Sequence, residues 1–135
     1  MDFVVDANIL FASLIKEGKT LEILLGDTFR FFSPEFLLEE FSKYKDYILQ
    51  KTKRTEKELI ETFDLLLGVI TIVPKQEYSG FLGKAGKICP DEDDIFYFSL
   101  ALKLNCGLWS NEIKLKEQDI VHVYSTKDLI ELFFV

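Results

Sequence analysis

Runs of apolar residues separated by polar breaks divide the chain into alternating short strands and longer helical segments. Residues 3–6 (FVVD) read as a short buried strand, and ANILFASLIK, 7–16, suits a helix with Asn8 near its start. Residues 20–25 form another helical turn closed by Gly26, and FRFFS, 29–33, reads as a second strand. Ser33 and Pro34 fit the N-cap and first position of a helix that runs to about Gln50. Thr55, with Glu58 three residues on, has the capping-box pattern of a helix reaching about Leu67 and stopped by Gly68. VITIV, 69–73, is a third strand ended by Pro74, and 75–87 is a weaker helical stretch. Beyond Pro90, DIFYFSLALKLN (94–105) is a strongly apolar helix stopped near Gly107. LWS (108–110) and IVHVYS (120–125) are the fourth and fifth strands, and Thr126 caps a last helix, KDLIELFF.

Strands alternating with helices, several of them apolar throughout, predict one α/β domain over residues 1–135. The expected architecture is a three-layer α/β/α fold around a central parallel sheet of about five strands. In such sheets, sites lie outside the carboxyl ends of the strands. Asp6 ends the first strand, and Ser110, Asn111 and Glu112 follow the fourth. An unpaired carboxylate buried at Asp6 costs several kcal/mol, so something must compensate for it.

Three further segments carry acids. In EFLLEEFSKYKDYI, 35–48, helical geometry puts Leu37, Phe41, Tyr44 and Ile48 on one face. Glu40 lies roughly 70° from the centre of that face and Glu39 roughly 170° away, so Glu40 reaches a sheet-side cleft more readily. In CPDEDDIFYFSLAL, Asp91 and Asp94 are three apart at the start of a helix apolar nearly all round. Negative charge there is favoured by the helix dipole as well as suited to a site. Asp6, Glu40, Asp94 and Glu112 therefore come from four separated segments that can meet at one end of the sheet. Carboxylates without Cys or His form a hard oxygen site suited to Mg²⁺ or Mn²⁺, whose charge relieves their mutual repulsion. The matching chemistry is phosphoryl transfer by a metal-activated water.

Net charge is −7, which argues against a wholesale basic nucleic-acid coat. Residues 43–57 (KYKDYILQKTKRTEK) nevertheless sum to +4, leaving −11 elsewhere. That segment is either a solvated helix end or a phosphate-contacting edge. Cys89 and Cys106 are too few for a disulfide framework, and no Cys or His cluster suggests zinc. His122, in an apolar strand, reads as structural, and Trp109 and the thirteen Phe residues as core and interface. No apolar run is long enough to cross a membrane, and Asp2 and Asp6 interrupt any leader-like stretch, so a cytoplasmic protein is expected.

Across essentially its whole length the sequence resembles the PIN domain family of ribonucleases, which includes the toxins of toxin–antitoxin pairs. VVDANIL resembles the family's opening strand, with its first metal-binding acid at Asp6 and its customary Asn at Asn8. PEFLLEEF resembles the helix of the second acid, which selects Glu40 before Phe41. PDEDDIFYFSLALKLNCG resembles the third block, with Asp94 as main acid and Asp91 as accessory. LWSNEIKL resembles the fourth, with Ser110 and Glu112 on its polar positions. Glu112 stands where Asp is usual, one methylene longer.

The resemblance implies metal-dependent cleavage of single-stranded RNA. Asp6, Glu40, Asp94 and Glu112 would form the catalytic set. Asp6, Asp94, Glu112 and Asp91 would hold Mg²⁺ or Mn²⁺, with Asn8 and Ser110 in support. Lys51, Lys53 and Arg54, within the basic segment, are candidates for RNA backbone contacts. The implied partners are single-stranded RNA, an antitoxin protein and a second copy of the chain. The alternative is a catalytically weak RNA- or protein-binding module on the same fold. A haloacid-dehalogenase-type phosphatase wants a second Asp two residues after the first, where this chain has Asn8. A response-regulator receiver wants an acidic pair at the first strand that is not evident.

Overall fold

The computed structural model describes residues 1–134. Five strands form one sheet in the order β3-β2-β1-β4-β5, and every neighbouring pair is parallel. The strands are β1 (Asp2–Val5), β2 (Arg30–Pro34), β3 (Ile70–Val73), β4 (Gly107–Trp109) and β5 (Val123–Tyr124). The expected parallel α/β architecture is the one observed. The first two crossovers carry the chain outward from β1 to β3. The third returns across the sheet to β4 on the other side of β1. Right-handed crossovers in opposite directions place their helices on opposite faces. The sheet is covered on both sides, as the apolar strands require.

The helices are α1 (Ala7–Ile15), α2 (Lys19–Leu25), α3 (Phe36–Lys51), α4 (Glu56–Leu67), α5 (Lys75–Tyr78), α6 (Leu82–Ile88), α7 (Ile95–Leu104) and α8 (Thr126–Phe133). Helices α1, α3 and α4 pack together, and Phe41 of α3 stacks on Phe63 of α4 with centroids 3.8 Å apart. Helix α7 lies against β1, β2 and β4, burying Tyr97, Phe98, Ser99, Leu100 and Ala101. Trp109 is fully buried, and its indole N–H donates to Thr126 Oγ1 at 3.0 Å.

Several boundaries differ from the sequence reading for identifiable reasons. Ser33 and Pro34 belong to β2, not to a helix start: the Ser33 hydroxyl donates to the Val5 carbonyl at 2.6 Å, and Pro34 stays in register with Val73. Helix α3 begins two residues later, with Glu35 at its N-cap and Phe36 as its first residue. The stretch 75–87 is broken at Ser79–Phe81 into a 3₁₀ turn, where Ser79 and Gly80 lower helix propensity. Helix α7 ends at Asn105, whose φ of 52° is the left-handed conformation that Asn tolerates. Gly107 lies in β4 instead, where a Cβ would come within 2.7 Å of the Tyr124 ring. Strand β5 is shorter than 120–125 because the Gln118 side chain accepts from the backbone of Ile120 and Val121, replacing a ladder there. Ser125, not Thr126, caps α8, through a capping box with Asp128. His122 is exposed and stacks on Tyr124, with ring centroids 4.0 Å apart.

Candidate active site

The direction of chain travel reverses between β1 and β4, so their carboxyl ends form a topological switch point, the usual place for a ligand crevice. Val5 pairs with Trp109, which sets Asp6 level with Ser110. The Asp6 N–H donates to the Trp109 carbonyl at 3.2 Å, locking that alignment. Asp6 then serves as N-cap of α1: its Oδ1 accepts from the Ile9 N–H at 3.0 Å. Capping accounts for only half of the carboxylate. Asp6 is 2% exposed, and its Oδ2 is buried with no hydrogen-bond partner. The Ser110 hydroxyl faces the carboxylate and favours its charged form, but completes no hydrogen bond of ordinary geometry to Oδ2. Ser110 is itself buried and accepts from the Glu112 N–H at 3.2 Å.

Asp94 closes a short 3₁₀ turn (Glu92–Asp94) and precedes α7, yet its side chain makes no capping hydrogen bond. Its carboxylate is thus left for another role. Burial is the main force raising its pKa to about 7, followed by repulsion from Asp6, Asp91, Glu112 and Glu40. Burial likewise pushes Asp6 up to about 6, with added repulsion from Glu112 and Glu40. Glu40 is also raised, chiefly by burial. Repulsion from Glu40 and Glu112 acts on both Asp6 and Asp94, and from Asp6 on Asp94, so the four acids lie within electrostatic reach at this end of the sheet. Glu39 faces solvent. Tyr44, assigned by helical geometry to the buried face of α3, is 40% exposed.

The remaining predicted residues fall at varied distances from this cluster. Asp91 contacts Asp94 electrostatically, but its carboxylate accepts from the Asp93 N–H at 3.0 Å and so caps the 3₁₀ turn. Asn8 and Glu112 are exposed and line an open cleft of about 380 Å³ with Ile9, Asn111 and Ile113. Asn111 Oδ1 accepts from the Thr126 N–H at 2.8 Å, tying this loop to α8. Lys51 and Lys53 are exposed at the far end of α3, about 16 Å along the helix from Glu40 by the rise per residue. Arg54, the third predicted RNA contact, is half-buried. Its guanidinium donates to the Leu14 carbonyl at the end of α1 and pairs with Glu17 at 3.8 Å, so the fold already uses it. Lys43 lies nearer the site, lining a second cleft of about 260 Å³ with Glu40, Tyr44 and Asp93.

Sequence reasoning missed Tyr97. Its hydroxyl donates to Glu40 Oε1 at 2.5 Å from a fully buried position on α7. Burial first, then the charges of Glu40, Asp6 and Asp94, drive its ionisation far above the ordinary range, so it remains a donor. The available signal was its spacing: three residues after Asp94, it shares that residue's helix face.

A sequence profile of the PIN domain matches residues 4–125, nearly the whole chain. The chain belongs to the PIN domain family. Its fold is similar to that in the crystal structure of VapBC2 from Rickettsia felis bound to a DNA fragment from their promoter. The TM-score is 0.71 at 18% sequence identity, covering 93% of this chain and 98% of that one. No curated protein sequence matches significantly. Among the described residues of this PIN domain, no three acidic, His or Cys side chains form a ready-made metal cage. A hard divalent cation needs none: Mg²⁺ keeps several waters and takes one or two carboxylates. The orphaned Asp6 oxygen, the all-oxygen donor set and the raised carboxyl groups of Asp6 and Asp94 fit such an ion, which those two residues would hold.

Proposed function

We propose that this PIN domain is a metal-dependent endoribonuclease that cleaves phosphodiester bonds in single-stranded RNA, acting as the toxin of a toxin–antitoxin pair. The observation that carries the reading is Asp6 Oδ2. A buried carboxylate oxygen without a partner, at a sheet switch point and beside two other raised acids, is a costly arrangement that a cation compensates. When bound, Mg²⁺ or Mn²⁺ supplies Lewis-acid stabilisation of phosphoryl charge and makes water acidic enough to attack at neutral pH.

The chain's own residues supply the rest. Asp6 and Asp94 would hold the ion from the sheet end and the start of α7. Glu40 and Glu112 would lend charge from α3 and from the loop after β4, and Asp91 would support Asp94 from the edge. The extra methylene of Glu112 suits a contact through water. Ser110 steadies the charged form of Asp6, and Asn8 orients substrate from the rim of the cleft. Lys43 and Lys51 on α3 and Lys53 in the loop after it contact RNA phosphates, where positive charge is concentrated. The fold similarity to VapBC2 supports an antitoxin protein as partner. A homodimer, with one acidic cleft per chain, completes the proposed assembly. No helix among the described residues is long and apolar enough to cross a membrane, and the proposed site of action is the cytoplasm.

The test is cleavage of a mixed-sequence single-stranded RNA by the wild type and by Asp6→Ala, with Mn²⁺, with Mg²⁺ and with chelator. Cuts that require metal and vanish in Asp6→Ala are expected. RNA binding without cleavage under every condition would favour the binding-module reading instead.

A further inference from the structure

We propose that Tyr97 is a positioning residue of the acidic site, acting through Glu40 to set the site's affinity for a divalent cation. The inference rests on the metal-dependent reading above. Asp6 Oδ1 is held by a backbone N–H of its own helix, that of Ile9. The Glu40 carboxylate has no such donor in α3, and its hydrogen bond among the described residues is to Tyr97. Glu40 sits in the second turn of a helix whose N-terminal residue, Glu35, makes no side-chain cap. A Glu side chain has three rotatable bonds, and the half-buried Glu40 carboxylate is repelled by Asp93 and drawn to Lys43. The Tyr97 hydroxyl fixes it against those pulls. It reaches across from α7, on a different crossover, and donates to Oε1, leaving Oε2 for an ion or its water.

The chemical nature of the tether matters. A Lys or Arg here would neutralise Glu40 and compete with the cation. A phenol fixes the carboxylate while leaving its full negative charge for the ion. The ring is rigid and fully buried, packed near Phe36 of α3 with centroids 6.4 Å apart, so the hydroxyl has little freedom to leave. Tyr97 also lies within electrostatic reach of Asp6 and Asp94, so the tether stands inside the carboxylate cluster rather than at its margin.

The experiment is calorimetric titration of Mn²⁺ alone into the wild type, Tyr97→Phe, Glu40→Ala and the double variant. The thermal midpoint of each metal-free protein is recorded alongside. Loss of an outer hydrogen-bond partner typically weakens metal binding by about 10-fold or more, and that loss is expected for Tyr97→Phe. In the Glu40→Ala background the same change should alter affinity by less than about twofold, because the residue it acts through is gone. Equal affinity of Tyr97→Phe and wild type overturns the inference, as does an equal loss in both backgrounds, which marks a merely structural effect. Should Tyr97→Phe fail to fold, proton NMR of the wild type decides. The Tyr97 hydroxyl resonance, identified by its absence in Glu40→Ala, must move when Mg²⁺ is added, and a resonance unmoved at saturating Mg²⁺ overturns the inference. Absence of Mn²⁺ binding by the wild type would overturn the metal-dependent reading itself, a result distinct from binding that ignores Tyr97.

Discussion

Asp6 holds two roles that pull in opposite directions. Its Oδ1 stabilises α1 by capping, while its Oδ2 destabilises the metal-free fold by being buried, charged and unpartnered. Asp6→Asn keeps an oxygen for the Ile9 N–H and removes the buried charge. In chelator at pH 8 this variant should therefore be more stable than the wild type, by on the order of 2–3 kcal/mol for a carboxyl raised to about 6. Urea unfolding measures the difference, and the same variant should lose cleavage. A variant less stable than wild type without metal would show that Asp6 is needed by the fold rather than by an ion.

At the scale of elements, α3 divides its labour between two ends. Its second turn presents Glu40 to the site, and its last turn and the loop beyond carry the basic residues. Exposed Lys51 in the last turn and Lys53 in the loop are distinct from Arg54, which is bound to the end of α1. Replacing Lys51 and Lys53 together by Ala should weaken RNA binding and lower the salt slope by about 1.4, at about 0.7 per phosphate contact on a single strand, with stability unchanged. Arg54→Ala should instead cost about 1–2 kcal/mol of stability by leaving the Leu14 carbonyl without its donor. RNA affinity across a salt series, with thermal unfolding beside it, separates the two. The distinction could not be read in the sequence, where all three cations sit in one charged run. Local signals were legible: the alternation of elements, the Thr55–Glu58 capping box and the facing of Glu40 all follow from spacing along one segment. Contacts between segments were not. Ser33 bonding Val5, Gln118 replacing part of a strand ladder and Tyr97 reaching Glu40 each depend on a partner that only the folded chain brings near.

For the whole molecule, the acidic cluster couples stability to pH and to metal. Asp6 and Asp94 bind protons more tightly folded than unfolded, since their pKa values rise from an ordinary 3.8 to about 6 and about 7. That stabilisation is complete below the unfolded value and is lost as pH rises through the folded ones. The metal-free chain should thus be less stable at pH 8 than at pH 5, by several °C in thermal midpoint. Asp128, paired with Lys116 and lowered to about 2, acts only in more acidic solution and leaves this window clear. Saturating Mg²⁺ should flatten the dependence, because the cation replaces the protons. Thermal scans across pH, with chelator and with Mg²⁺, check this directly. A midpoint that rises from pH 5 to pH 8 in chelator would contradict the electrostatic account of the cluster.

The unpartnered oxygen of Asp6 is the proposed metal ligand. The most direct test is a crystal of the wild type grown with Mn²⁺ and measured for anomalous scattering at the manganese edge. One strong peak bonded to Asp6 Oδ2 and flanked by Asp94 is expected. Bound manganese elsewhere, with Oδ2 still unpartnered or satisfied by a protein donor, would contradict that assignment.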